Sequence, residues 1–192
     1  FMEDVYQEFT QLLASDEEEM ELVIQQQHMD EEERENFLRA FEMGREKSLI
    51  GFGVLGGIFS EGIDLTNEKL IGTLIIGTGL PQVCNEREIL KSYFDQKGLS
   101  GFDYAYRYPG MNKVLQAAGR VIRTEDDRGV ILLLDQRFRQ REYSNLFPLE
   151  WDDRQLCTLS DVEEYLQKFW AEAKNYREIS VNDKLSLNKK GE

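Results

Sequence analysis

The chain has 192 residues, of which 41% are hydrophobic and 31% charged, and a net charge of −14. That length is enough for one domain with a buried core, and no apolar run approaches the roughly 20 residues of a membrane span. The two distant cysteines, Cys84 and Cys157, and the single His28 argue against a disulfide framework, zinc or iron–sulfur ligation, and histidine-based metal or triad chemistry.

No signal-peptide pattern opens the chain, and its cysteine usage suits a reducing cytoplasm. The first residue is Phe1 rather than an initiator Met, as expected of a piece of a longer protein. The charge is unevenly spread. Residues 1–46 hold 15 acids and 3 bases, whereas residues 107–141 hold 8 bases against 4 acids. An anionic chain with a local basic strip is still able to hold a phosphate backbone.

In chain order, Phe1, Val5, Phe9, Leu12 and Leu13 fall at helical spacing, and residues 16–21 form a charged loop. ELVIQQQ (21–27) reads as a short buried strand, with His28 a plain residue at its end. Asp30 and Glu33 form a capping box opening a helix whose apolar positions are Phe37, Leu38 and Phe41, ending near Gly44. Residues 49–59 predict a central strand running into the loop SEGIDL (60–65). Residues 70–76 predict another strand, followed by a glycine-containing loop at 77–81.

Asn85 and Glu88 resemble a second capping box, with Ile89, Leu90, Tyr93 and Phe94 as the helix's apolar side and Gly98 as its stop. FDYAYRYP (102–109) alternates aromatics with other residues, predicting a packed extended segment or aromatic faces that stack on unpaired bases. Pro109 suits the first turn of the next helix. Residues 129–134 read as a buried parallel strand ending at Asp135, and Asp135 with Arg137 as a local ion pair at the domain edge. A last helix is expected from Ser160, with Glu163 completing its capping box and Val162, Tyr165, Leu166, Phe169 and Trp170 its apolar face. Beyond about residue 177 the polar tail is expected to fray.

Strands thus alternate with helices, which points to an α/β three-layer domain with a mainly parallel sheet. Ligands of such sheets bind beyond the carboxyl ends of the strands, where residues 60–64, 77–81 and 135–137 are expected. The stretch that organises the chain is QAAGRVIR (116–123). On a helix, Val114, Leu115, Ala118, Val121 and Ile122 gather on one side, while Gln116, Arg120 and Arg123 fall within an arc of about 60° on the other. Gly119 lies beside that polar stripe, where a larger side chain would keep a ligand away. Guanidinium forks match phosphate oxygens and never lose their charge. The stripe therefore reads either as a solvated helix face or as an anion site. No GxxxxGK[ST] loop or dinucleotide fingerprint accompanies it in these residues, so the arginines fit a site begun elsewhere.

SEGIDL (60–65) and QAAGRVIR (116–123) resemble motifs V and VI of superfamily 2 helicases. GGIFSEGIDL (56–65), GLPQ (79–82), FDYAYRYPGMNKVLQAAGRVIR (102–123) and DRGVILLLDQRF (127–138) are similar to the DinG/XPD-type branch, especially bacterial ATP-dependent DNA helicases. The resemblance covers roughly residues 1–170. It implies a RecA-like (P-loop NTPase-type) second motor domain over residues 1–171, with 172–192 a polar tail. It also implies a first strand lying ahead of this chain, and an N-terminal motor domain carrying the phosphate loop and, in many members, an iron–sulfur cluster.

By the same resemblance, Arg120 and Arg123 reach the ATP phosphates, one of them as the arginine finger, and Gln116 senses the nucleotide. Gly62 and Asp64 link the ribose side of ATP to the DNA strand. Ser60 and Glu61 touch DNA phosphate or brace motif VI, and Thr78 is a candidate phosphate contact. The implied cofactors are ATP and Mg²⁺, shared with the other motor domain. The implied partners are that domain and single-stranded DNA, tracked 5′→3′, and no membrane. An isolated second lobe is expected to be inactive. The competing expectation is a non-catalytic α/β module whose Arg120/Arg123 helix binds an acidic protein.

Overall fold

A computed structural model describes residues 1–13, 20–41, 47–56, 70–122, 124 and 127–173. It divides into two compact units, Phe1–Phe147 and Pro148–Glu192. The expected loops at 16–21 and 60–65, the helix end near Gly44 and the tail beyond 177 fall wholly or largely outside the described residues.

Within the first unit, helix α1 (Met2–Leu13) precedes strand β1 (Met20–Ile24), helix α2 (Glu31–Arg39) and strand β2 (Ser48–Phe52). β1 and β2 pair in parallel, with Met20 opposite Ser48 and Ile24 opposite Phe52. The capping box is made as expected. Asp30 accepts from the Glu33 amide at 2.8 Å, and Glu33 accepts from the Asp30 amide at 2.9 Å. Phe37 and Phe41, on the α2 side, are buried and packed with Val23, Met29, Leu38, Leu49 and Leu70. Gly51 belongs under that cluster, because a Cβ there would strike the Phe41 ring. α1 seats Tyr6 and Phe9 edge-on against Phe52, with ring centroids 5.2 and 5.9 Å apart, but leaves Phe1 and Leu12 exposed.

Strand β3 (Gly72–Ile76), helix α3 (Asn85–Gln96), helix α4 (Tyr108–Ala118) and strand β4 (Val130–Leu134) complete the α/β alternation. β3 and β4 are also parallel, from Gly72 opposite Val130 to Ile76 opposite Leu134. A parallel pair needs a crossover, and α3 with α4 supplies it. Ile75 is buried on one side of the ladder, while its neighbours Leu74 and Ile76 alternate to the other side and stay 53% and 41% exposed. The fold is thus α/β with parallel strands, as the alternation predicts.

Two expectations about α3 are corrected. The second capping box does not form: Cys84 holds the cap position of α3 and makes no side-chain cap bond. Glu88 is engaged elsewhere, by the Tyr106 hydroxyl at 2.5 Å. The side of α3 expected to be apolar and packed is mostly open, with Ile89 70% and Tyr93 53% exposed. Its end is as expected: Gly98 at φ +75° lets its own amide reach the Asp95 carbonyl and the Leu99 amide reach that of Phe94, both at 3.0 Å.

The aromatic run is not extended. It is helical from residue 101, with a π turn at Asp103–Arg107 leading straight into α4. Proline explains the wide turn. Pro109 has no amide to give the Ala105 carbonyl four residues back, and its ring would crowd that carbonyl. The π turn instead closes from the Tyr108 amide to the Asp103 carbonyl. Phe94 stacks on Tyr104 at 4.0 Å, so part of the aromatic run packs against α3.

β4 is followed by Asp135, whose carboxylate receives the Arg137 backbone amide at 2.8 Å and the guanidinium as a fork, at 2.9 and 2.6 Å. The expected edge ion pair is therefore present, and it also caps the short 3-10 turn Gln136–Arg139. The hydrogen bond from Arg137 holds the Asp135 carboxyl below the usual carboxylate range. A depressed folded-state pKa stabilises above the unfolded value near 3.9 and is lost as pH falls through the folded one. Asp135→Asn is expected to cost about 1–2 kcal/mol at pH 7. Urea unfolding from pH 7 to pH 2 checks this: the gap between the two proteins closes on the acid side.

In the second unit, residues 162–173 are helical. The predicted start at Ser160 with Glu163 is replaced by Thr158 and Asp161, the Asp161 carboxylate accepting both the Thr158 amide and its hydroxyl. Asp161 folds back on that loop, so the helix opens one residue beyond it. Phe169 and Trp170 meet edge to face at 5.0 Å.

Candidate functional site

α4 carries the motif that organises the sequence. Met111, Val114 and Ala118 are each at most 1% exposed, at the spacing of one helix face. Helical geometry stops sooner than the sequence suggests. Ala118 is the last helical residue, and Gly119 caps the end with its amide on the Leu115 carbonyl at 2.9 Å. The chain then tightens, with Arg120 and Val121 donating to the carbonyls of Ala117 and Ala118, three residues back.

Val121 remains in the core at 2% exposure, but Ile122 leaves it at 49%. The expected apolar side is thus corrected at Ile122, because the turn at Gly119 breaks the 100° step on which that position depends. Gln116 and Gly119 are exposed and Arg120 is half-buried, so the polar side of this turn is open. Arg123 lies outside the described residues. Just beyond it, the Asp127 carboxylate receives the Thr124 amide at 2.8 Å and steadies the chain leaving the arginines.

α4 also has a close approach at its other end. Thr78 follows β3 between two glycines of positive φ, Gly77 at +88° and Gly79 at +64°. A Cβ on Gly110 would stand 2.6 Å from the Thr78 carbonyl, and one on Gly79 2.7 Å from that of Gly110. The strand-end loop therefore packs backbone to backbone on the first turn of α4. Thr78 is 1% exposed, and its hydroxyl has no hydrogen-bond partner among the described residues.

The site residues named from the sequence do not all come together. Val121 rests where a Cβ on Gly129 would stand, beside the Ile71 carbonyl, and both positions lie at the amino ends of β3 and β4. The helix of a crossover runs back antiparallel to its strands. It therefore carries Gln116, Gly119 and Arg120 to the edge opposite the Thr78 loop and the Asp135–Arg137 pair. Ten residues of helical rise, about 15 Å, lie between Gly110 and Arg120. The loops at 77–81 and 135–137 thus follow the carboxyl ends of β3 and β4 as expected, while α4 ends at the opposite edge. Ser60, Glu61, Gly62 and Asp64 lie outside the described residues. Lys113, not singled out in the sequence, lies against Gly56, whose Cβ would stand 3.1 Å from the Lys113 Cε. It ties α4 to the chain entering the SEGIDL segment.

A family model described as the helicase C-terminal domain matches residues 1–154. The chain belongs to that family. A probable ATP-dependent helicase of Methanocaldococcus jannaschii is 27% identical over 169 residues, 79% of this chain and 24% of the relative. The ATP-dependent DNA helicase DinG of Photobacterium profundum is 37% identical over 99 residues, 50% of this chain and 14% of that protein. The XPD subunit of general transcription and DNA repair factor IIH from Dictyostelium discoideum is 28% identical over 121 residues, 61% of this chain and 15% of that subunit. The chain thus spans at most about a quarter of the length of these relatives. Within the family, the α/β fold built here around α4 is that of a RecA-like lobe.

Proposed function

We propose that this chain is the second motor lobe of an ATP-dependent DNA helicase, working with an N-terminal motor domain of the same polypeptide. The observation that carries the reading is the open turn Gln116–Gly119–Arg120 at the end of a helix whose other side is locked in the core. A glycine at that turn leaves room, and a half-buried guanidinium beside it is held more firmly than a fully solvated one. Both features fit the phosphate oxygens of a nucleotide, and family membership supports the same choice of ligand.

When bound on the other lobe with Mg²⁺, ATP supplies the γ-phosphoryl group that is transferred to water. Arg120 and Arg123 close on its phosphates and neutralise the charge that develops in the transition state. Gln116 reads the presence of nucleotide. Gly62 and Asp64 link the ribose side of ATP to the DNA strand, and Ser60 and Glu61 touch DNA phosphate or brace motif VI. Thr78, buried beneath the first turn of α4, reaches a phosphate only if that loop opens. Each cycle of closure advances the lobes along single-stranded DNA, 5′→3′.

The experiment is a comparison of the full-length protein with this 192-residue chain. DNA-stimulated ATP hydrolysis and displacement of a strand from a 5′-tailed duplex are expected from the full-length protein, and neither from the chain alone. ATP turnover by the isolated chain, or none in the full-length protein with DNA, would remove the reading.

A further inference from the structure

The π turn ahead of α4 sets the rotation of one helix segment against another. Tyr106 and Met111 are five residues apart and both buried, at 4% and 1% exposure. On an unbroken α-helix, residues five apart stand about 140° from each other and could not share a face. The wide turn at Asp103–Arg107 takes up part of that angle, because each of its residues turns the chain by less than 100°. Upstream of it, the chain is fastened to α3 by the Tyr106 hydroxyl on Glu88, a bond that helps push the phenol's pKa up to about 12. Downstream, α4 is fastened in the core.

Such a turn should relax toward the α register, which suits the rest of the helix better. Two features oppose that. Pro109 cannot donate to the Ala105 carbonyl, and Arg87, reaching over from α3, fills that acceptor with its Nη1 at 2.7 Å. Ala105 is fully buried, so a carbonyl that Pro109 cannot serve gains from a charged side-chain donor held away from water. The Arg87 guanidinium therefore supplies the donor that Pro109 cannot, and ties the head of α4 to α3.

We propose that Arg87 is a positioning residue. By holding the π turn with Pro109, it fixes the rotation of α4 relative to α3 and hence where the turn at Arg120 is presented. Its effect on catalysis rests on the motor reading above, whereas its effect on helix rotation does not. Arg87 lies 33 positions before Arg120 in the chain and belongs to neither helicase motif quoted earlier.

The test uses the full-length protein carrying Arg87→Met, Arg87→Lys, or Arg87→Met with Pro109→Ala. Alanine at 109 returns an amide to the Ala105 carbonyl and allows the turn to close in the α register. Arg87→Met is expected to lower kcat for DNA-stimulated ATP hydrolysis about tenfold with little change in KM. Arg87→Lys, whose ammonium still reaches the carbonyl, recovers most of kcat. The double variant regains the melting temperature but not kcat.

An activity-independent readout accompanies these measurements. Spin labels attached through azide-bearing amino acids at the exposed Lys97 and Asn112, with every cysteine left in place, report the α3–α4 distance, which is expected to shift in the double variant. Wild-type kcat in Arg87→Met, or joint recovery of stability and kcat in the double variant, overturns the proposal. Arg120→Ala is measured in parallel. If it turns over ATP normally, the motor reading fails, and an unchanged label distance in the double variant then overturns the rotation assigned to Arg87.

Discussion

Arg120→Ala in the full-length protein is expected to lower DNA-stimulated ATP turnover by about 10³-fold or more, with ATP still bound. A factor of 10³ corresponds to about 4 kcal/mol of lost transition-state stabilisation. That magnitude separates the motor reading from a surface arginine, whose removal changes stability by about 0.5 kcal/mol or less. The melting temperature should move by only a few degrees, because the fold rests on Met111, Val114, Ala118 and Val121 on the opposite side of the same segment. Arg120→Lys is expected to remain strongly impaired, since one ammonium point charge does not replace a planar fork. Single-turnover hydrolysis together with nucleotide binding checks both variants. Near-normal turnover in Arg120→Ala would instead favour a lobe that binds an acidic protein through this helix.

Gly110→Ala should destabilise the first unit by about 2–4 kcal/mol, lowering its melting temperature by roughly 5–15 °C. The sign is what makes the prediction informative. Within a helix, glycine to alanine normally gains about 1 kcal/mol. Here the new methyl would stand 2.6 Å from the Thr78 carbonyl and 3.1 Å from the Gly79 carbonyl carbon. Both are backbone atoms, so no flexible side-chain end can swing aside, and overpacking outweighs propensity. Differential scanning calorimetry checks the outcome. A stabilised variant would show that the strand-end loop does not lie against α4. The same close approach explains why Thr78 is buried although its neighbours are loop residues.

Much of the local order was readable directly from residue types. The alternation of strands and helices, the capping box at Asp30 and Glu33, the stop at Gly98 and the Asp135–Arg137 pair all depend on neighbours within a few positions. Two local patterns yield to partners distant in the chain. Glu88 stands three residues after Asn85, the spacing of a capping box. Tyr106, 18 residues farther on, offers a donor within a buried interface, and the carboxylate takes that instead. Aromatics alternate over residues 102–109, a pattern that predicts an extended segment. The missing amide of Pro109 and the reach of Arg87 favour a π turn. The proline was visible in the sequence, and a count of which carbonyl it leaves unfilled was the signal available for that turn.

The sequence by itself determined the family, the α/β alternation, and the apolar back of α4 at Val114, Ala118 and Val121. Those follow from side-chain chemistry and helical or strand periodicity, which are local properties. Tertiary structure decided where α4 ends, which edge of the ladder receives Arg120, and how far α4 is rotated against α3. These depend on backbone contacts between segments distant in the chain: Gly79 on Gly110, Val121 on Gly129, Arg87 on Ala105. Periodicity carries no information about such contacts, because it describes one segment at a time.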